Sequence, residues 1–345
     1  MITSLILWGL VAFAVSFVAT VFVKHLAFQG GFIDRPGHAR KVHSKPTARM
    51  GGFAIYIGVT VAIVLLLFLS PTLTAGRISL MPYVGFLVGG LILMVGGLLD
   101  DRFDLPPNLS FISPVLAIVV LLVSGIGVEK LTNPFGGVIY LAPWQSHILV
   151  FVWMLAVVYT TKFLDGLDGL ATSMSAVGAL MILLLALTTA YFQPDVALLS
   201  AVCIGALLGF LFWNFHPASI FLGEGGSTFV GYVLGTLAII SGGKLATALL
   251  VLGIPVLDAL WVIIRRWRTG GLKQIFRGDR KHLHHRLLDL GLGQRRVVFL
   301  YIFVASAFGV STLFLQSREK LVALVLLGLM MLIAAGLLVQ SEKKV

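Results

Sequence analysis

Charge is what this sequence has least of. Only 11% of its 345 residues are charged, and 59% are hydrophobic. An average soluble chain carries roughly 25% charged residues, so this chain could not cover a water-facing surface, and a soluble globular class is excluded. A mean hydropathy of +1.03 has the same origin. Cysteine is nearly absent: Cys203 stands alone inside an apolar run, which rules out a disulfide framework within the chain and reads as a small buried hydrophobe. No internal repeat, low-complexity tract or linker is visible, so residues 1–345 are read as one compact membrane domain. The first apolar run has no positive charge before it and Lys24 after it, which speaks against a secretory signal peptide and for an anchor. Glycine, by contrast, is frequent, with 38 residues, as expected where membrane helices pack closely.

A membrane helix needs about 20 mostly apolar residues. Eleven segments meet that expectation: 4–26, 51–70, 81–99, 109–127, 147–163, 170–192, 196–213, 226–241, 245–264, 297–315 and 321–340. The predicted fold is therefore all-α and polytopic. With the N-terminus outside, threading eleven spans places loops 27–50, 100–108, 164–169, 214–225 and 265–296 and the tail on one side. Together with Lys24 and Lys162 at span ends, that side holds 20 of the 25 Lys and Arg; Arg77, Lys130, Lys244, Arg318 and Lys320 lie opposite. The positive-inside rule makes the crowded side, and the C-terminus, cytoplasmic. The net charge of +11 is thus a topology signal and does not imply a nucleic-acid partner. Eleven of the fourteen acids fall on the same side, which the rule for positive charge does not require. Acids among bases on one face suggest a site that handles anions, through a metal or a proton.

Five stretches carry that chemistry. Asp100 and Asp101 end the third span; adjacent acids near lipid are costly, and either share a divalent ion, hold a proton, or cap the interface beside Arg102. Asp165 and Asp168, in Asp-Gly-Leu-Asp-Gly, would share a face if helical, with Lys162 just before them. Glu224 sits in the Gly-rich Gly223-Glu224-Gly225-Gly226-Ser227, where backbone N–H groups could hold phosphate or the carboxylate a cation. His282, His284 and His285 have zinc-like spacing, but Arg280, Lys281 and Arg286 crowd them with positive charge, favouring a diphosphate. The first cytoplasmic loop, with Asp34, Lys41, His43 and Arg49, is either a lipid-facing basic loop or a wall of the same site. Asn214 and His216 receive no role from spacing. Asp258, inside the ninth span, is a candidate either for catalysis or for pairing with Arg265.

Taken in this order, the motifs resemble the polyprenyl-phosphate N-acetylhexosamine-1-phosphate transferases over about residues 30 to 295. The resemblance rests on Asp100-Asp101, the Asp-Gly-Leu-Asp-Gly-Leu-Ala of 165–171, the Gly-rich loop, the His-x-His-His of 282–285 and the Arg-Lys-x-His of 40–43. It implies Mg2+ or Mn2+, a UDP-sugar donor and undecaprenyl phosphate as acceptor at the inner membrane. It also implies that Asp100 and Asp101 serve acceptor deprotonation or metal support, that Asp165 and Asp168 form the nucleotide–metal site, and that His282, His284 and His285 contact the diphosphate. Asp101, Asp168 and Glu224 are the expected metal ligands, and Lys41, His43, Lys162 and Arg280 the further anion contacts. A homodimer is left open. The His-x-His-His form is similar to the N-acetylglucosamine branch; the peptidoglycan branch, which takes a UDP-MurNAc-peptide, is the alternative. Two positions depart from the family pattern: Lys162 stands where Asn is usual, and Glu224 where Asp is usual.

The implied reaction is direct phosphoryl transfer with release of UMP, which depends on positioning and charge neutralisation; a covalent aspartyl-phosphate route remains an alternative. A transporter or flippase would place ionisable groups near the midplane and often repeat its halves; here most charges cluster at one interface and no repeat is visible. An alcohol phosphotransferase using CDP-linked lipids shares Asp-Gly-x2-Ala but needs a further Ala-Arg and two spaced acids, missing after Ala171.

Overall fold

The computed structural model describes residues 1–36, 45–242, 244–270 and 282–342. Lys41, His43 and Arg280, named above as anion contacts, lie outside the described residues.

Long apolar stretches leave the backbone no partner but itself, and nearly every one is helical. In chain order these are α1 (Ile2–Gly30), α2 (Gly51–Leu69), α3 (Leu80–Phe103), α4 (Pro107–Ser110), α5 (Ile112–Val123), α6 (Pro143–Leu164), α7 (Leu170–Leu187), α8 (Pro194–Asn214), α9 (Gly223–Ile240), α10 (Leu245–Val251), α11 (Gly253–Gly270), α12 (Leu283–Asp289), α13 (Gln294–Phe314) and α14 (Ser317–Glu342). Seven of the described helices, α1, α2, α3, α6, α7, α8 and α13, are long and apolar enough to cross a membrane; a bent pair makes eight. The bend is in the predicted ninth span, which breaks by 79° between α10 and α11. The predicted fourth span is a shorter apolar helical stretch, Pro107–Val123. The protein is therefore a mostly helical, multi-pass membrane protein.

The expectation of an all-α chain needs one correction. Two small sheets decorate the helices. Strands β1 (Ile33–Asp34) and β2 (Thr47–Arg49) pair antiparallel, and β2 pairs parallel with β5 (Ile220–Phe221), in register Ala48 with Ile220 and Arg49 with Phe221. This sheet ties the loop after α1 to the chain entering α9. At the other end of the bundle β3 (Lys130–Thr132) and β4 (Val138–Tyr140) form a hairpin.

Burial separates lipid-facing helices from interior ones. The most apolar window of α1 is 22% buried, with Ile6, Leu10 and Phe22 exposed, whereas those of α7 and α8 are 72% buried. In α9 every residue from Gly225 to Ile239 is buried. A helix buried all round is surrounded by protein, and α9 packs against α2, α3, α6 and α7. That is why a short, Gly-rich segment is tolerated at membrane depth. Close approach is built in at two points. A Cβ at Gly97 of α3 would lie 2.0 Å from the backbone N of Gly225, and one at Gly52 of α2 would lie 2.2 Å from Cα of Gly226. The N-terminal turn of α9 is thus clasped between α2 and α3 with backbone against backbone.

Gly97→Val should therefore destabilise the detergent-solubilised protein by about 1–3 kcal/mol, the usual cost of overpacking. Gly328→Ala, where an added Cβ meets nothing within 4 Å, should stay within about 0.5 kcal/mol. Thermal melts of the two variants check the contrast.

Candidate active site

The clasp sets the site. Gly223 opens α9 with φ +76°, a conformation natural to glycine, and a Cβ there would press on Asp101 Oδ2 at 2.7 Å. With that space free, Asp101 Oδ2 accepts the backbone N–H of Glu224 at 3.0 Å. A carboxylate from α3 thus caps the N-terminus of α9, satisfying one of its orphan donors. Glu224 follows in the first turn and faces a cleft of about 840 Å3 at this end of the bundle.

The cleft collects residues from across the chain: Asp100, Asp101, Lys162, Asp165, Asp168, Glu224, His282 and His285 all line it. Carboxylates separated by more than a hundred positions stand around one space, as the sequence motifs anticipate. Their individual engagements differ. Asp100 turns toward its own loop: Oδ1 accepts the Leu105 N–H at 3.0 Å and Oδ2 the Ser110 hydroxyl at 2.5 Å. The expected catalytic role for Asp100 thus meets a carboxylate engaged in holding the α3–α4 turn. Asp168 Oδ2 is held by His216 Nδ1 at 2.7 Å and by the Ala218 N–H at 3.1 Å. Asp165 caps the end of α6, and burial, then the neighbouring carboxylates of Glu224, Asp101 and Asp168, push its carboxyl up to about 8 despite the opposing pull of Arg49.

Lys162, in the last turn of α6, places its ammonium 2.6 Å from Glu224 Oε2 and 4.0 Å from Asp100 Oδ2. It also reaches Ser110 Oγ at 3.4 Å. The two departures from the family pattern are therefore in contact, a cation against the lengthened acid.

The histidines divide. His282 Nδ1 bonds Asp258 Oδ2 at 2.8 Å, and the Leu283 N–H donates to Asp258 Oδ1 at 2.9 Å. Asp258 thus orients the His282 ring and caps α12, a partner other than the Arg265 considered from sequence. His282 also stacks with Phe163 on α6. His285 lines the cleft with it. His284, expected to contact a diphosphate, is 1% exposed, between the other two rings and against Gly166. Burial first, then His285 and His282, hold it well below the usual imidazole range, so it is neutral. Its ring nitrogens have no hydrogen-bond partner among the described residues.

Several residues escaped the sequence reading or went without a role in it. Arg49 donates to Asp34 Oδ1 at 2.6 Å and stands 3.7 Å from Asp101 Oδ1, so the small sheet delivers a guanidinium to the wall of the cleft. Of the two readings of that loop, a wall of the site is what these described residues form. Asn214 ties α8 to β5, donating to the Ile220 carbonyl and accepting from Thr172. Tyr159, Arg266 and Gln294 also line the cleft without any motif to announce them.

Hard carboxylate oxygens around one space are the donors a divalent cation takes. Burial first, and then the neighbouring carboxylates, raise Asp165, so added negative charge is disfavoured there. Among the described residues, however, no group of three His, Cys, Asp or Glu stands at ligating distance. The fit lies in donor chemistry rather than in a preformed cage.

Together these features define a class: a multi-pass membrane protein with a cleft lined by acids, bases and histidines at one end of its helices. The model of glycosyl transferase family 4 matches residues 83–242. A Bacillus subtilis protein, a probable undecaprenyl-phosphate N-acetylglucosaminyl 1-phosphate transferase, is 33% identical, over 89% of this chain and 85% of its own length. A Mycobacterium tuberculosis decaprenyl-phosphate N-acetylglucosaminephosphotransferase is 36% identical, over 94% and 86%. A phospho-N-acetylmuramoyl-pentapeptide-transferase of Desulforamulus reducens is 32% identical over 78% and 82%. The chain belongs to glycosyl transferase family 4.

The raised Asp165 carboxyl has a stability consequence. In the unfolded chain it titrates near 4, in the folded one near 8. As pH rises between these values the unfolded state loses its proton first, so stability falls until about pH 8 and then levels. With chelator present, the protein should melt higher at pH 6 than at pH 8, and Asp165→Asn should shrink that difference.

Proposed function

We propose that this chain transfers N-acetylglucosamine-1-phosphate from UDP-N-acetylglucosamine to undecaprenyl phosphate, releasing UMP and starting a lipid-linked envelope glycan. The observation that carries the reading is the convergence of Asp101, Asp165, Asp168, Glu224, Lys162, His282 and His285 on one cleft at the end of a membrane bundle. The relatives from Bacillus and Mycobacterium, both named for N-acetylglucosamine transfer to a polyprenyl phosphate, span more of the chain than the muramoyl-pentapeptide enzyme. That difference and the His-x-His-His form favour the N-acetylglucosamine donor.

The chain lies in the plasma membrane with eleven spans, its N-terminus outside and the cleft facing the cytoplasm. The skew of Lys and Arg toward the cleft side supports that orientation. The acceptor phosphate enters from the lipid boundary. One of its oxygens attacks the phosphorus that bears the sugar, the bond to the bridging oxygen breaks, and UMP leaves. Asp101, fixed through Oδ2 by the Glu224 N–H, offers its other oxygen to the acceptor's proton. His282, oriented by Asp258, and His285 face the diphosphate, and Arg49 and Lys162 balance charge that moves onto the leaving group. Mg2+ or Mn2+, when bound by Asp101, Asp168 and Glu224, supplies further neutralisation of the diphosphate.

Purified protein with Mg2+, a polyprenyl phosphate and radiolabelled UDP-N-acetylglucosamine should yield labelled lipid and UMP. Asp101→Asn should lower turnover by about 100-fold or more while the protein still folds. No product from any UDP-sugar would overturn the reading. Lys162→Asn removes an ammonium that competes for Glu224, so Mn2+ binding followed by electron paramagnetic resonance should tighten by about tenfold or more.

A further inference from the structure

The far end of α9 leads to a second cluster of charge, and this one has a single sign. Lys244 follows α9 and precedes α10; the helix between it and Glu224 spans about 25 Å at 1.5 Å per residue. Its ammonium lies 3.2 Å from the centroid of the Tyr191 ring. Lys320, in the first turn of α14, is 8% exposed and reaches Thr247 Oγ1 at 3.4 Å. Neither ammonium meets a carboxylate among the described residues. The acids of this end are otherwise engaged or distant: Asp195 accepts the Arg77 and Val196 N–H groups, and Glu319, exposed, accepts the Gln316 N–H. Burial and, after it, the charge of Lys320 hold Lys244 down to about 8, so the two cations repel one another. Two half-sequestered like charges without a counter-ion are costly. A chain with so few charges has no need to bring two together here unless an anion joins them.

We propose that Lys244, Lys320 and Thr247 form a phosphate-binding site at the end of the bundle opposite the cleft. Its chemistry is that of a phosphate oxyanion held by two ammonium groups and a hydroxyl, with the Tyr191 face steadying Lys244. The ligand is the phosphodiester of an anionic membrane lipid or a free phosphate. Bound there, it ties the loop after α9 to α10 and α14 and holds together the far end of the helix whose near end carries Glu224.

The test uses the full chain in detergent, titrated with dihexanoyl phosphatidylglycerol, dihexanoyl phosphatidylcholine and inorganic phosphate, and followed by thermal shift and native mass spectrometry. Phosphatidylglycerol should raise Tm and persist as an adduct, and phosphatidylcholine should do neither. A comparable response to inorganic phosphate identifies a free-anion site, and its absence a headgroup held with its acyl chains. The K244Q/K320Q protein should need about tenfold more phosphatidylglycerol for the same shift, and K244R/K320R should restore it. Should the double variant not fold, K244Q alone carries the same readout. Equal responses to the two lipids, or a phosphatidylglycerol response unchanged by K244Q, would overturn the proposal.

Discussion

The whole site depends on backbone meeting backbone at the start of α9. Gly97 and Gly52 admit Gly225 and Gly226 at distances no side chain would permit, and that approach brings the α9 N-terminus within reach of Asp101. One hydrogen bond, from the Glu224 N–H to Asp101, then joins two acids that lie 123 positions apart. In lipid there is little hydrophobic force between helices, so close packing of small residues and satisfied polar groups hold them together. The glycines of this chain are therefore part of the site, although none of them carries its chemistry.

The electrostatics follow from that geometry. Five acids crowd a partly buried cleft and repel, and four of them each find a different relief. Asp100 takes donors from its own loop, Asp168 from the turn at His216, Asp101 from α9 and Arg49, and Glu224 from Lys162. Asp165 lies beside them, and burial first, then the neighbouring acids, raises its carboxyl. An anionic cleft braced by fixed cations suits a reaction in which diphosphate charge arrives, moves and departs.

Much of this was legible in the sequence because it is periodic or local. The apolar runs announce helices, and Asp101, Asp165, Asp168 and Glu224 announce themselves as acids at span ends. What stayed hidden was non-local. Strands of two or three residues, such as Ile33–Asp34 and Ile220–Phe221, have no readable period, so neither the sheet nor the delivery of Arg49 could be foreseen. Asp258 carried a burial signal, but its partner sits 24 residues away, just before α12. Asp100 and Asp101 look alike in sequence; only the direction each side chain takes from the last turn of α3 separates a loop brace from a cleft acid. His284 misled for the opposite reason, since a motif of three histidines does not say which ring is turned inward.

Lys162 and Glu224 show how a departure from a family pattern is read physically. A glutamate in place of aspartate carries its charge one methylene further from the backbone, and a lysine in place of asparagine carries a charge where a neutral amide is usual. Separately, each would disturb the balance of an anionic cleft. Together, at 2.6 Å, they cancel. The ammonium stands between Glu224 and the Asp100–Ser110 pair, bridging α6 to both α9 and the loop after α3. The pair therefore supplies part of the charge compensation within the cleft, and any cation drawn to Glu224 would have to share that oxygen or displace the lysine. The charges of Glu224 and Asp100 are thus linked through one ammonium.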